Sequence, residues 1–268
     1  MKGSNLLNIR SIDESRNNYK VKFSFCSLVT RIDEYHEMIA SAKQAGFDGD
    51  DVEFLYIDNS NENLCDGFSG YNRFLLEAEG QYIVYCHQDI LFEFDRREVL
   101  EERIREINKI DPMWAILGNA GKAHNSLPIA RITDPNADNI TLGVLPGRVM
   151  TVDENFLVIN RKNPISCSGQ MKGFHLYATD LCQNAEYLGY SCYVIDFHLR
   201  HKSGGNADES YNAVQMDFMN LSRRRKQPQV IQAMCSRFYV SSSRILMALF
   251  NNNKILNLHK SLKKKYTI

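Results

Sequence analysis

The stretch "GQYIVYCHQDILFEFD", residues 80–95, decides how the rest of the chain is read. Gln81 to Cys86 is an apolar and aromatic run with the length and composition of a buried strand. It breaks at His87-Gln88-Asp89 and resumes as Ile90-Leu91-Phe92. An imidazole, an amide and a carboxylate buried without partners are costly. Such groups are therefore solvated at a strand end, or they coordinate something.

Upstream, "YKVKFSFCSLVT" (19–30) alternates and reads as a first strand. "RIDEYHEMIASAKQAGF" follows as a helix with Ile32, Tyr35, Ile39 and Ala42 on one face. "DVEFLYID" (51–58) is a second strand, "NSNENLCDGFSG" a polar loop and "YNRFLLEAEG" a short helix. Downstream, "DRREVLEERIREINKI" is amphipathic, with Leu100, Ile104 and Ile107 as its stripe, and "MWAILGNAGK" returns to strand. This alternation predicts parallel βαβ units, which bind ligands beyond the carboxyl ends of their strands. Asp58 and His87-Gln88-Asp89 both fall at such ends, so two strands deliver polar groups to one sheet edge. Simple solvation of both ends is the plainer alternative.

The second half has a different rhythm. "NITLGVLPGRVMTVDENFLVINRK" (139–162) carries two or three strands, antiparallel by their short turns. "GFHLYATDLCQNAEYLGY" is a helix with Phe174, Tyr177, Leu181, Ala185 and Leu188 at helical intervals. "SCYVIDFHLRHKSGG" is a strand and a basic, Gly-rich loop, and two or three helices finish the chain. The expectation is an α/β protein: a Rossmann-like domain over 1–215, its central sheet mostly parallel with a mixed C-terminal half. A basic helical appendage over 216–268 follows.

Composition sets the outer bounds. An apolar content of 44% and a charged content of 24% are those of a soluble globular protein. No apolar run has the length of a membrane span, and the polar N-terminus does not read as a secretory leader. Seven cysteines without a CxxC, several within apolar runs, point to a reducing, cytoplasmic setting. From Phe218 onward there are eleven Lys and Arg and no Asp or Glu, and the totals match at 32 each, so the first 217 residues carry net −11. Such a tail suits an anionic partner such as a membrane surface, or packs as a solvated basic helix on the acidic body. No nucleic-acid-binding motif is visible.

Neither GxGxxG nor GxxxxGK[ST] occurs, so a bound nucleotide diphosphate would need a divalent cation held by side chains. The order of elements resembles the GT-A glycosyltransferases, specifically the family 2-like group, and within it a bacterial subset with "HQD" where most members carry Asp-x-Asp. "LYIDNSNEN" resembles the family's second strand, whose following Asp, here Asp58, holds the uracil ring. "YNRFLLEAEGQYIVYCHQD" resembles the next helix and strand. Counted from Gly80, His87 takes the first Asp position and Asp89 the second. The resemblance implies a donor-binding set of Ser27, Thr30, Asp58, Asn72, His87 and Asp89. It also implies a Mn²⁺ or Mg²⁺ ion on Asp89, with His201 as a further ligand. His87 in place of a carboxylate adds a softer ligand, which shifts preference toward Mn²⁺, weakens the site or makes the metal dispensable. His201, beside Arg200 and Lys202, also reads as an ordinary loop residue.

"GFHLYATDLCQNAEYLGY" resembles the segment with the family's acidic pair, and the matching carboxylate is Asp180, with Thr179 in its neighbour's place. The resemblance implies that Asp180 is the catalytic base; a helix-start carboxylate is the plainer reading. Asp153 and Glu154 either position the acceptor and support the base or form a polar turn. His175 either contacts the sugar or is a half-buried helix residue. Gly118-Asn119-Ala120-Gly121 reads as a turn passing close to the donor sugar.

The implied activity is an inverting, hexosyltransferase-type transfer from a nucleotide-sugar, UDP-linked, to a saccharide or lipid-linked acceptor, in bacterial surface polysaccharide or glycoconjugate synthesis. The basic end would touch the inner face of the membrane, or its apolar part would form a homodimer. Two alternatives stay open: a relative that binds nucleotide-sugars without turnover, and a sugar nucleotidyltransferase. The latter usually shows a Gly-rich, basic segment after the first strand, unlike "SLVTRIDEY".

Overall fold

The structure, a computed structural model, describes residues 19–204, 209–252 and Ile255. β1 (Val21–Val29) carries Phe23, Phe25 and Cys26 into the interior. α1 (Ile32–Gln44) buries Tyr35, Met38 and Ala42, whereas Ile32, expected on that face, is its first residue and is largely exposed. β2 (Val52–Asp58) leads to α2 (Gly67–Glu77), which starts four residues earlier than its sequence suggests. Asp66 accepts from the Ser69 N–H while the Ser69 hydroxyl accepts from the Asp66 N–H. This reciprocal cap outweighs the two glycines that disguise the helix as loop.

β3 (Gly80–Cys86), β4 (Ile90–Leu91), α3 (Arg97–Ile110), β5 (Trp114–Gly118) and β6 (Ala120–Lys122) follow. α3 buries Leu100, Ile104 and Ile107, as its pattern requires. Then come β7 (Pro128–Asp134), β8 (Ala137–Leu142), β9 (Gly147–Arg148), β10 (Thr151–Val152), β11 (Phe156–Asn160), α4 (Tyr177–Tyr187), β12 (Ser191–Val194) and β13 (Leu199–His201).

The central sheet has seven strands in the order β2-β1-β3-β11-β5-β12-β9. β2, β1, β3, β5 and β12 run one way, while β11 and β9 oppose them. β11 and β5 are buried along their whole length, which explains their continuous apolar character. A second sheet has the order β10-β6-β7-β13-β4, with β8 paired to β7. β4 and β13 bring residues 90–91 and 200–201 side by side. Between the sheets and helices lies an aromatic core that includes Phe25, Phe47, Phe92, Phe156 and Phe197.

One close approach sets the register at the start of β3. A Cβ on Gly80 would lie 2.4 Å from Ser24 Oγ and 2.7 Å from Ser24 N. The Gly80 N–H donates to Ser24 Oγ at 2.8 Å, and that hydroxyl donates to Glu53 at 2.5 Å. Glycine is the residue that lets β1, β2 and β3 meet here.

The chain divides into two compact units at Val214/Gln215. Within the second, the end of α5 (Glu209–Arg225) precedes a hairpin of β14 (Gln229–Gln232) and β15 (Arg237–Val240), then α6 (Arg244–Phe250) capped by Ser243. The hairpin replaces part of the all-helical ending expected from sequence. Pro228 cannot continue α5, and Val230-Ile231 and Phe238-Tyr239-Val240 favour extended backbone. Of the basic appendage expected over 216–268, residues 253–254 and 256–268 lie outside the described residues. No described helix is long and apolar enough to cross a membrane.

Replacing Gly80 by Ala is expected to lower stability by about 1–3 kcal/mol through overpacking against Ser24. Urea denaturation measures this; an unchanged midpoint would show that β1 and β3 separate at no cost.

Candidate functional site

β3 runs through the core and turns at His87-Gln88-Asp89. Gln88 is a clamp. Its Oε1 accepts from the backbone N–H groups of Thr30 (2.8 Å) and Arg31 (3.0 Å), and its Nε2 donates to Thr30 Oγ1 (3.1 Å). These groups lie at the entrance to α1, where Arg31 supplies no capping side chain.

His87 and Asp89 flank the clamp and meet His201 from β13. His87 Nδ1 is 3.3 Å from His201 Nε2, and Asp89 Oδ1 is 3.5 Å from the same nitrogen. One ligand atom from each of the three lies within 4.8 Å of the others. Asp89 and His201 are buried, and His87 is partly so. Burial, reinforced by neighbouring His201, lowers the pKa of His87. Burial also opposes ionisation of Asp89, yet hydrogen bonds from His201 and Ser203 and the adjacent imidazoles prevail, holding its carboxyl well below the usual range. Two imidazoles and one ionised carboxylate fit a divalent cation.

The turn after β10 joins this cluster to a cleft of about 380 Å³. The His87 N–H donates to Asn155 O (3.0 Å), and the Tyr177 hydroxyl donates to Glu154 O (3.0 Å). Gly121, Lys122, Asp153, Glu154, Thr179 and Tyr211 are among the cleft's lining residues. Asp153 is exposed, and its Oδ1 accepts from the Asn155 N–H (3.0 Å) and Nδ2 (2.5 Å). The segment is thus a polar turn and a cleft wall at once. Glu154 is driven up to about 8 by burial and by Asp153, against the helix-entry N–H groups of Leu176, Ala178 and Tyr177.

Several residues read from the sequence stand elsewhere. The structure does not bring Asp180 to the cleft. Fully buried, it accepts from the Ser168 N–H (2.6 Å), Ser168 Oγ (2.5 Å) and Asn184 Nδ2 (3.2 Å), and Thr179 is the residue facing the cleft. Ser27 is also fully buried, its hydroxyl donating to Cys86 O (2.9 Å). Asn72 brackets the backbone of Cys167, donating to its O (3.1 Å) and accepting from its N–H (2.8 Å). Thr30 is held by Gln88. Side chains whose own function is internal cannot be told from ligand-binding ones by residue type alone.

Asp58 is exposed at the end of β2, level with Val29, and hydrogen bonds from Ser60 lower its pKa. His175 sits against the Tyr211 ring, centroids 5.6 Å apart. Asn119, in the turn between β5 and β6, is fully buried with neither amide atom hydrogen-bonded among the described residues.

The segment before α4 is held from outside. Tyr71 donates to Ile165 O, Asn184 to Ser166 O, and the Gly173 N–H to Asp66, beside the Asn72 and Asp180 contacts above.

No family model matches the sequence. A protein of Fuscovulum blasticum called "ATP synthase subunits region ORF 6" is 35% identical over 208 residues, covering 75% of this chain and 84% of the relative. The chain belongs to that protein's family. The relative's name states no activity. Among solved structures, the mannosyltransferase PcManGT of Pyrobaculum calidifontis, in complex with GDP-Man and Mn²⁺, matches with a TM-score of 0.51 at 11% identity, over 94% of this chain and 72% of that one. TarS 1–349 of S. aureus, in complex with UDP-GlcNAc, matches with a TM-score of 0.45 at 12% identity, over 71% of this chain and 61% of that one. The likeness is one of fold: the chain has the mixed central sheet and flanking helices of the GT-A glycosyltransferases.

Tyr177 was legible only as an apolar stripe residue of α4, and Gln88 only as the middle of a triplet. For Tyr177 the signal was its hydroxyl, which needs a partner when the ring is buried.

Because folded Glu154 keeps a proton that the unfolded chain releases near 4.5, stability is expected to fall as pH rises from 4.5 to about 8. Glu154→Gln removes that fall, so its thermal midpoint should overtake wild type toward alkaline pH. A constant difference between the two proteins across this range would contradict it.

Proposed function

We propose that this chain is a glycosyltransferase that takes a sugar from a nucleotide-sugar, UDP-linked, and passes it with inversion to a saccharide or lipid-linked acceptor. The observation that carries the reading is the convergence of His87, Asp89 and His201 at the carboxyl edge of a GT-A sheet, beside an open cleft with its own carboxylate. The nucleotide-sugar and Mn²⁺ bound to PcManGT support the donor class.

In this reading Asp58, exposed at the end of β2, accepts from the base of the nucleotide. A divalent cation held by Asp89 and its two histidine neighbours would offset the charge of the leaving diphosphate. Asp153 takes the role of general base that the sequence assigned to Asp180. It faces the cleft, and Asn155 fixes one of its oxygens, leaving the other for the acceptor hydroxyl. Glu154, driven up to about 8, holds a proton at neutral pH and does not compete for that role. Asp180 acts as a positioning residue through Ser168.

Isothermal titration of UDP with and without Mn²⁺ tests the donor site, and sugar transfer tests the base. Asp153→Asn should keep UDP affinity while transfer falls by about 10²-fold or more. No UDP binding in either condition would sink the donor reading. UDP binding with no transfer across a panel of acceptors would mark a binding protein instead.

We further propose that the second unit rests on an anionic membrane surface. Residues from Phe218 onward carry no acidic group, and Ile245 (79%), Leu249 (58%) and Met234 (100%) expose apolar side chains in a stretch that also carries Arg237 and Arg244. Basic charge with exposed apolar area matches an acidic leaflet better than a nucleic acid. The protein should sediment with vesicles containing acidic phospholipid and not with zwitterionic ones, and Arg237→Glu with Arg244→Glu should release it. Vesicle-independent dimerisation would assign the apolar surface to a second copy.

A further inference from the structure

Tyr177 has one hydroxyl proton and two polar neighbours. Glu154 O lies 3.0 Å away and, being a carbonyl, only accepts. The Tyr177 proton therefore goes there. His87 Nε2, 3.2 Å from the same hydroxyl, is left facing an oxygen lone pair, so it must be the donor. A neutral His87 then carries its proton on Nε2 and an open lone pair on Nδ1. That nitrogen is the one turned toward His201 Nε2, 3.3 Å away, within the cluster that includes Asp89.

We propose that Tyr177 is a positioning residue that fixes the His87 tautomer, making Nδ1 the third ligand of a centre with His201 Nε2 and Asp89, and that this donor set selects a first-row transition cation over Mg²⁺. The proposal rests on the reading of the cluster as a metal centre and adds to it the ligating nitrogen of His87, its tautomer and a selectivity. Two nitrogen donors against one carboxylate favour first-row transition ions, Co²⁺ more strongly than the harder Mn²⁺, whereas Mg²⁺ demands oxygen ligands in a near-ideal octahedron. Outer partners of ligating histidines act in this way by fixing ring orientation and tautomer.

The surroundings hold the phenol in place. The Tyr177 ring packs on Tyr85 (centroids 5.4 Å) and Phe68 (6.3 Å), and it occupies the space next to Gly67, where an added Cβ would come within 2.3 Å of it. Tyr85 in turn donates to Gly67 O at 3.2 Å. The glycine at the first position of α2 thus makes room for the ring that aligns the histidine.

The test is metal binding to the full chain without nucleotide, read by the loss of free-Mn²⁺ EPR signal and by the visible spectrum of Co²⁺. Wild type should bind both ions, with Mg²⁺ in excess failing to displace them. His87→Ala should abolish the Co²⁺ bands of a nitrogen-rich site, and Tyr177→Phe should weaken Mn²⁺ binding by about 10–100-fold. Gly67→Ala, which keeps the hydroxyl but moves the ring, should weaken it too, while Tyr177→Phe keeps its folded circular dichroism. His87→Asp should raise Mg²⁺ affinity relative to Mn²⁺. Unchanged Mn²⁺ affinity in a folded Tyr177→Phe overturns the tautomer lock, and unchanged Co²⁺ bands in His87→Ala overturn the third ligand. Ready displacement of Mn²⁺ by Mg²⁺ overturns the selectivity. If wild type binds neither ion, the metal centre itself fails, while UDP binding by the metal-free protein would leave the donor-site reading standing.

Discussion

The hydrogen bonds of the Gln88 amide tie the end of β3 to the entrance of α1, and the candidate site takes its position from that tie. The two N–H groups it receives belong to the N-cap residue Arg31 and to Thr30 before it, so the clamp holds the approach to α1 and the turn after β3 together. At the other end of the strand the contact of Gly80 with Ser24 fixes its offset from β1. β3 is therefore pinned at both ends. His87 and Asp89 emerge from the end of that pinned strand, and β13 delivers His201 to them by its pairing with β4. Preorganisation of this kind is what a site needs if its ligands are to keep their geometry.

The same arrangement concentrates cost. An ionised carboxylate and two imidazoles share a pocket from which much of the water is excluded, next to a glutamate that burial drives toward its neutral form. Asn119 adds a buried side-chain amide without a hydrogen-bond partner among the described residues. A chain selected for stability alone would place apolar groups here. Conflicts between local chemistry and burial tend to gather where a protein acts, and these gather at one sheet edge.

The architecture was legible because hydrophobic periodicity is a local property: β1, β2, β3 and α3 follow directly from their spacing. β7 was not seen, and β11 sits antiparallel between β3 and β5, a pairing that no local pattern encodes. α2 was shortened in the reading because its glycines hid a capping box. At the site, Asp58, His87 and Asp89 stand at strand ends, as the spacing implies, and His201, readable as a metal ligand or a loop residue, ends β13 beside Asp89. Ser27, Asn72 and Asp180 do not join them, for a common reason. Each is a polar group bonded inside the fold, Ser27 and Asn72 to main-chain atoms remote in sequence and Asp180 to Ser168 and Asn184, and only tertiary structure shows those partners.

The segment between β11 and α4 illustrates what such remote bonding allows. Its course is dictated by Tyr71, Asn72, Asp66, Asp180 and Asn184, all of which grip main-chain atoms, or main chain and Ser168, from outside. Much of its shape is thus written in α2 and α4, alongside its own Arg161 and Asn163, whose side chains donate to the carbonyls of Ala78, Gly80, Pro112 and Trp114. Exposed residues along it, Lys172 among them, can change while the path endures. A surface of this build can exchange its chemical face without redrawing its contour.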